Sequence, residues 1–205
     1  MQIIDAIFYI AILIMSVVIH EVSHGYVAEL YGDKTARHAG RLTLNPIVHL
    51  DLWGSLIIPA LLYFSTGFAF GWAKPVPYNP DNLSDRKWGS IAVAAAGGCA
   101  NLFIAVFFGL ILRFTYALDM PTGYDFMLYS IVIINLALAI FNLVPIPPLD
   151  GSKILFPLLP QSFSRAIDSI EQYSIIFLLI FIFFFSEFLS PILGFLFKLI
   201  TGLSL

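Results

Sequence analysis

Two histidines stand four residues apart in the stretch HEVSH, as His20 and His24, and Glu21 directly follows the first. On an α-helix, side chains at positions i and i+4 lie on the same face, so the two imidazoles can bind one ion. Imidazole is a common ligand of zinc, a metal without redox chemistry that can keep an open fourth position for water. The spacing therefore predicts that His20 and His24 bind a zinc ion and that Glu21 lies beside it.

The same five residues also fit a structural interpretation, in which the imidazoles are polar contacts between helices and Glu21 is their partner. However, the order H-E-x-x-H is the signature of zinc metalloproteases, in which the glutamate is the general base that takes a proton from water. The motif also lies in a strongly apolar stretch, where ionisable residues are costly and usually functional. This context favours metal binding over a contact between helices.

A catalytic zinc site needs a third protein ligand. The candidates after the motif are Glu29, Asp33, His38, His49, Asp51 and Asp150. Asp150 differs from the others because it follows a proline-rich break, in FNLVPIPPLDGSKILF, with apolar sequence on both sides. A carboxylate in such surroundings is unfavourable unless a cation is close. Asp is also a favoured N-cap, so Asp150 can instead cap the helix that begins at Gly151, and the two roles are compatible.

Composition places the chain in a lipid bilayer. Of its 205 residues, 60% are hydrophobic and 11% are charged, whereas soluble domains carry about 25% charged residues. The net charge is −3 and the basic residues are scattered singly, so nucleic acid is not an expected partner. Because no repeat, linker or long charge run is visible, we expect residues 1–205 to form a single integral membrane domain.

Apolar segments indicate several membrane helices. They lie at residues 3–31, 52–70, 90–113, 127–146 and 172–200. At about 1.5 Å per residue, most of them are long enough to cross ~30 Å of hydrocarbon. The second segment contains Pro59 and a glycine-rich end, which indicate a re-entrant segment that returns without crossing.

Basic residues between the segments set the expected orientation. The positive-inside rule puts three connections in the cytoplasm, at residues 32–50, 71–89 and 147–171. This arrangement requires that segment 52–70 does not cross. It also brings Asp150 to the same side as His24, because two crossings separate them. We therefore expect a multi-pass protein of the cell (cytoplasmic) membrane whose site faces the cytoplasm.

Two stretches predict short β-strands at the membrane edge. RHAGRLTLNP, at 37–46, ends in an Asn-Pro turn, which is typical of a short strand and its turn. AKPVPYNP, at 73–80, has alternating prolines that exclude helix and favour an edge strand or an extended loop. An extended edge beside the site can hold an unwound peptide by strand addition.

Five stretches, in order along residues 20–155, resemble the site-2 protease family of zinc intramembrane metalloproteases in its short prokaryotic form without PDZ or CBS domain. They are HEVSHGYVAELYGD, AGRLTLNPIVHLDLWGSLIIP, GFAFGWAKPVPYNP, GGCANL and FNLVPIPPLDGSKIL. The resemblance implies that His20, His24 and Asp150 bind one zinc ion per chain and that Glu21 activates the water. It also implies that Asn142, eight residues before the aspartate, assists at the substrate carbonyl. A hydrogen bond between helices is the alternative for Asn142, and is what we expect of Asn101 and Asn135.

The fold class implied is an all-α polytopic membrane protein. It has a three-helix catalytic core formed by 3–31, 90–113 and 127–146, a re-entrant segment with short strands at the membrane edge, and an additional C-terminal helix.

The activity implied is hydrolysis of peptide bonds in or near the transmembrane segment of a protein substrate in the lipid bilayer. One alternative is a divalent-metal (zinc) transporter, since intramembrane His and Asp also line ion pathways. Another is an inactive relative that binds membrane helices without cutting them. The lack of internal repeats disfavours the first and the intact Glu21 the second. The sequence does not define the oligomeric state.

Overall fold

Among the residues that the structure describes, four long helices contain more than half. The computed structural model describes residues 3–58, 61, 64, 71–118, 120–121 and 123–205. The long helices are α1 (Ile3–Leu30), α3 (Arg86–Thr115), α4 (Tyr124–Leu143) and α7 (Ser174–Thr201). Three short helices connect them, α2 (Thr35–His38), α5 (Asp150–Leu155) and α6 (Ser164–Gln172). Single helical turns lie at Pro46–His49, Leu52–Ile57, Pro80–Asn82, Phe156–Leu158 and Gln161–Phe163.

Helices α1, α3 and α4 are long and apolar enough to cross a membrane. A bent pair, formed by residues 161–172 and the first part of α7 at an angle of 72°, raises the number of such spans to four at most among the described residues. Large apolar side chains such as Phe103, Phe107 and Phe183 are exposed on the helix surfaces, where lipid can cover them. The protein is therefore a multi-pass membrane protein, and the predicted all-α polytopic fold is confirmed.

Local sequence explains where the core helices begin and end. Helix α3 begins after Asp85, whose side chain accepts a hydrogen bond from the backbone N–H of Trp88 at 2.8 Å and so caps the helix. Helix α4 ends at Leu143, three residues before the predicted end at 146. Pro145 disfavours helical conformation at the preceding residue, and Val144 is extended, with φ −65° and ψ 131°. The early end turns the chain back towards α5.

The core lies where α3, α4 and α7 meet. One buried cluster draws on all three helices and consists of Ala105, Leu112, Leu128, Val132, Leu136 and Phe197. A second cluster joins Ala28 of α1 to Val93 of α3 and to Leu83. The three predicted core helices, α1, α3 and α4, contact one another, and the additional C-terminal helix α7 completes the apolar cluster with α3 and α4.

The predicted β-strands are wrong, because no strand occurs among the described residues. Residues 35–38 form α2, and residues 71–79 are extended without a partner strand. The guanidinium of Arg41 instead donates to the carbonyl oxygens of Lys74 and Pro75, at 3.1 and 3.3 Å. The side chain of Arg41, rather than a ladder of backbone hydrogen bonds, therefore joins the two stretches. The second stretch cannot form a full ladder because its prolines have no N–H to donate.

The two ends of the predicted re-entrant segment lie side by side. The backbone N–H of Trp72 donates to the carbonyl oxygen of Gly54 at 3.0 Å, and that of Lys74 donates to His49 at 2.9 Å. The chain therefore leaves and returns at the same place, as a re-entrant path requires. Much of segment 52–70, including Pro59, lies outside the described residues, so its re-entrant path stays a prediction.

Candidate metal centre

His20, His24 and Asp150 meet in a buried cluster between α1 and α5. The Nε2 atoms of the two histidines are 3.1 Å apart. The Oδ2 atom of Asp150 lies 3.1 Å from Nε2 of His20 and 3.2 Å from Nε2 of His24. None of the three side chains is more than 12% exposed. The fold therefore brings the three residues together, with their potential ligand atoms at the corners of a nearly equilateral triangle.

The hydrogen bonds of the other ring nitrogens indicate where each neutral imidazole carries its hydrogen. Nδ1 of His24 lies 2.6 Å from the carbonyl oxygen of Val93, which can only accept, so Nδ1 is the donor. Nδ1 of His20 lies 2.7 Å from Oδ1 of Asn101 and donates in the same way. Both Nε2 atoms then present a lone pair. Two lone pairs and a carboxylate oxygen point at one another, an arrangement that repels itself unless a cation lies between them.

Asp150 reaches the histidines because α5 packs tightly against the end of α4. A Cβ atom at Gly151 would run into the backbone carbonyl groups of Leu143 and Val144, so only glycine permits this approach. The alternative role of Asp150 as a helix cap is not found. Leu149 holds the N-cap position, and Asp150 is the first helical residue, with its carboxylate directed at the histidines.

Glu21 lies beside the triangle without belonging to it. Its Oε2 atom accepts a hydrogen bond from the backbone N–H of Val76 at 2.9 Å. Val76 stands between Pro75 and Pro77, which have no N–H, so it is the single backbone donor of this Pro-Val-Pro run. The extended segment 71–79 therefore fixes the position of the Glu21 carboxylate, one residue after His20 in the chain.

Asn142 lies near the end of α4 and bonds within its own helix. Its side-chain amide donates to the carbonyl oxygen of Leu138 at 3.0 Å. No hydrogen bond from Asn142 to another helix is found among the described residues. Among the described residues it makes no hydrogen bond with the triad, and its role at a substrate carbonyl stays a prediction.

The other candidate ligands have local structural contacts. Within the described part of the chain, the one group of clustered His, Cys, Asp and Glu side chains that could hold a metal is His20, His24 and Asp150. The contacts of the remaining candidates are Glu29 with Arg37, Asp33 with Thr35, His49 with Thr43 and Asp51 with Gly54, while His38 is exposed.

Comparison with known proteins assigns the family. The family model described as peptidase family M50 matches residues 118–186, which include Asp150 but not HEVSH. Over 177 residues the chain is 39% identical to YwhC of Bacillus subtilis, which is classed by name among the zinc metalloproteases, and the match covers 83% of this chain and 78% of YwhC. The chain belongs to peptidase family M50, the site-2 protease family.

More distant relatives match this M50 peptidase over a smaller share of their own length. Rip2 of Mycolicibacterium smegmatis is 30% identical over 169 residues, which cover 82% of this chain and 63% of Rip2. Zinc metalloprotease MJ0392 of Methanocaldococcus jannaschii is 26% identical over 152 residues, which cover 74% of this chain and 34% of MJ0392. No solved structure matches the chain.

The triad of this M50 peptidase fits a zinc ion in spacing and in chemistry. Zinc binds nitrogen and oxygen at about 2.0–2.1 Å in tetrahedral sites, which separates neighbouring ligand atoms by about 3.3 Å. The corresponding separations here are 3.1, 3.1 and 3.2 Å. Three protein ligands, two imidazoles and a carboxylate, leave the fourth position open, as in catalytic zinc sites. His20, His24 and Asp150 would therefore hold zinc as a complete set of protein ligands.

Three further residues shape the M50 metal centre and were not predicted to do so. Asn101 was expected only to bridge helices, yet it contacts His20. Val93 contributes a backbone carbonyl, for which the sequence contains no signal. A Cβ atom at Gly97 would lie 2.5 Å from Cε1 of His20, so the ring packs on bare backbone. The run GGCAN, small residues beside a polar one inside an apolar helix, is the signal that could have found Gly97 and Asn101.

Proposed function

We propose that this M50 peptidase is a zinc-dependent intramembrane endopeptidase of the H-E-x-x-H type and that residues 1–205 act as one membrane domain. The observation that carries the proposal is the convergence of two imidazole lone pairs and a carboxylate on one point inside a bundle of membrane helices, next to Glu21. Residues 25–30 separate His24 from the end of α1, about 9 Å of helix at 1.5 Å per residue. A site at this depth lies within the apolar layer and close enough to its surface for water to reach it.

Each side chain of the site has its own role in peptide hydrolysis. A zinc ion held by His20, His24 and Asp150 would supply Lewis acidity, which polarises a carbonyl group and makes water easier to deprotonate. Glu21 is the general base that takes the proton of the attacking water and then passes it to the leaving amine. Asn142 steadies the substrate carbonyl oxygen through its side-chain amide.

The substrate class is the transmembrane segment of another membrane protein. Carbonyl groups in an intact helix are hydrogen-bonded and shielded, so the segment must unwind locally before it can be cleaved. The extended segment 71–79 offers little backbone for strand addition. The backbone groups of residues 74–76 already have partners within the protein. The N–H of Lys74 donates to the carbonyl oxygen of His49, and the N–H of Val76 donates to Glu21. The carbonyl oxygens of Lys74 and Pro75 accept from Arg41. The substrate is therefore held mainly at the metal centre rather than by pairing with residues 74–76.

The site faces the cytoplasm, and the protein resides in the cytoplasmic membrane. The basic connections 32–50, 71–89 and 147–171 support this orientation through the positive-inside rule. To test it, Cys99 is replaced by alanine and single cysteines are introduced at the exposed positions Asp81 and Lys87. We expect labelling only from the cytoplasmic side. Labelling of both positions only from outside would contradict the orientation.

The activity is tested with purified, reconstituted protein and a fluorogenic peptide that spans the membrane once. We expect Glu21→Gln to retain one zinc per chain and to lower the cleavage rate by at least about 10²-fold, because general-base catalysis contributes 10²–10⁴-fold. Glu29→Gln is the matched control, since Glu29 lies on the same helix but pairs with Arg37 away from the triad. It should cleave at the wild-type rate.

Three outcomes would count against parts of the proposal. Full activity of Glu21→Gln would exclude the assigned base. Equal cleavage of the same scissile sequence in a soluble peptide would leave a metalloprotease without intramembrane specificity. Zinc uptake into proteoliposomes without any cleavage would favour a transporter.

A further inference from the structure

His20 is connected to a buried network of polar side chains that spans three helices. Ser16 of α1 is 4% exposed, and Asn101 of α3 and Asn135 of α4 are both fully buried. Polar groups between apolar helices are unfavourable unless they bond to one another. The three side chains together with His20 are therefore best understood as one unit, called here the asparagine network.

The asparagine network allows a single arrangement of its donors. The side-chain nitrogen of Asn101 donates to the carbonyl oxygen of Ser16 at 3.2 Å and to Oδ1 of Asn135 at 2.8 Å. The side-chain nitrogen of Asn135 donates to Oγ of Ser16 at 2.9 Å and to the carbonyl oxygen of Ile131 at 2.9 Å. Each N–H of both amides thus has an acceptor. The nitrogen of Asn101 must face Ser16, so its Oδ1 atom faces His20.

We propose that the asparagine network is a positioning device that keeps His20 in the tautomer with its hydrogen on Nδ1. The Oδ1 atom of Asn101 can only accept, so Nδ1 of His20, 2.7 Å away, must donate. Nε2 is then left with a lone pair directed at Asp150 and His24. A flipped Asn101 amide would set N–H against Nδ1, move the ring hydrogen to Nε2 and so block the ligand position.

Different groups fix the tautomers of His20 and His24. The ring of His24 is held by the backbone carbonyl of Val93, which no side-chain substitution removes. The ring of His20 depends on a side chain that is not itself a ligand. Asn101 is therefore a position at which the loss of one side-chain hydrogen bond can lower zinc affinity without changing a ligand or the general base. This inference rests on the proposed metal site.

A set of variants distinguishes an effect on the tautomer of His20 from a general effect on packing. Asn101→Leu has similar size and no acceptor, and we expect it to weaken zinc binding by about 10–100-fold, the usual effect of losing an outer-shell partner. Asn101→Asp keeps an acceptor for Nδ1 and should recover most of that affinity. Ser130→Ala is the matched control. Ser130 is buried on α4, and its hydroxyl donates to Phe126 of its own helix at 2.7 Å, so its loss should not change zinc affinity.

The experiment uses the full chain in detergent. Zinc dissociation constants are measured by competition with a chromophoric chelator, the ligand field by the absorption of the cobalt(II) form, and the integrity of the fold by the thermal midpoint of the metal-free protein. We expect Asn101→Leu to lose affinity and change the cobalt spectrum, and to have a lower metal-free midpoint than Ser130→Ala because Oδ1 of Asn135 loses its donor. A cooperative thermal transition shows that the variant is folded. Equal zinc affinity of Asn101→Leu and Ser130→Ala would overturn the proposal.

A second measurement covers the case in which Asn101→Leu does not fold. In wild-type protein labelled with ¹⁵N-histidine and loaded with zinc, we expect a proton resonance on Nδ1 of His20 that exchanges slowly with water. Its absence would overturn the proposal. Failure of the wild-type protein to bind zinc at all is a different result, because it would overturn the metal site on which the inference rests.

Discussion

The backbone N–H of Val76 donates to Oε2 of Glu21 at a distance of 2.9 Å, although 55 positions separate the two residues in the chain. The position of the proposed base therefore depends on the extended segment 71–79 as well as on α1. That segment is itself held by Arg41, which binds the carbonyls of Lys74 and Pro75, and by Asp33, which accepts from the N–H of Asn79 at 2.7 Å.

Removal of the Val76 N–H tests this relationship. A hydrogen bond to a charged group contributes about 1.5–3 kcal/mol, so we expect Val76→Pro to lower kcat by roughly 10- to 100-fold while one zinc per chain is retained. Val76→Ala is the control, because it shortens the side chain and keeps the N–H. Cleavage rates and zinc content of both variants check the prediction. Equal rates for the two variants would show that this hydrogen bond does not matter.

Two adjacent glycines of α3 are predicted to respond oppositely to the same change. A methyl group at Gly97 would lie 2.5 Å from Cε1 and 2.6 Å from Nε2 of His20, so Gly97→Ala must displace the ring. At Gly98 it would lie 3.8 Å from the side chain of Leu143, an ordinary contact. We expect Gly97→Ala to lose most of its zinc, measured as metal per chain after gel filtration. Gly98→Ala should keep its zinc and melt no lower than wild type, since alanine favours helix by about 1 kcal/mol.

Gly151→Ala tests how Asp150 is delivered to the site. The added methyl group would meet the backbone of Leu143 and Val144, which cannot move aside as a flexible side chain can. We expect loss of zinc and a free energy of unfolding lower by about 1–3 kcal/mol, as for an overpacked core. The control is Gly194→Ala, whose methyl group would lie 3.6 Å from the side chain of Leu205. Wild-type zinc content in Gly151→Ala would show that α5 does not need this close approach.

Asp33 is predicted to make stability depend on pH in the acid range. Burial raises the pKa of its carboxyl, but hydrogen bonds from Thr35 and Asn82 and from the N–H of Asn79 outweigh this effect, so the pKa is lowered. A lowered pKa in the folded state stabilises the protein above the unfolded value of about 3.9, and this contribution is lost as the pH falls further.

We therefore expect the thermal midpoint to fall as the pH drops below about 4, and to fall less in Asp33→Asn, whose side chain does not titrate. Asp81→Asn is the control, because the side chain of Asp81 is 68% exposed and its ion pair with Arg86 lies at the surface. Its midpoint should follow the wild-type curve. An identical pH dependence in wild type and Asp33→Asn would remove Asp33 as the source of the effect.

Local patterns predicted some parts of the fold well and others poorly. The length and apolarity of the helices come from consecutive residues, so α1, α3, α4 and α7 were all expected within a few residues of their ends. The strand predicted at 37–46 was wrong, and residues 73–80 form a loop, the alternative to an edge strand, because extended chain becomes a strand only when a partner is aligned with it. Whether a partner strand is aligned depends on the tertiary structure. Here the side chain of Arg41, and not a partner strand, binds the backbone of Lys74 and Pro75.

The sequence by itself determined that His20 and His24 share one face and that Glu21 stands next to them, because four residues complete about one helical turn. Only the tertiary structure decided which carboxylate completes the set. Asp150 lies 130 positions from His20, and its approach depends on the break after α4 and on the missing side chain of Gly151. The orientation of each imidazole was decided in the same way, because Asn101 and the carbonyl of Val93 reach the rings from a different helix.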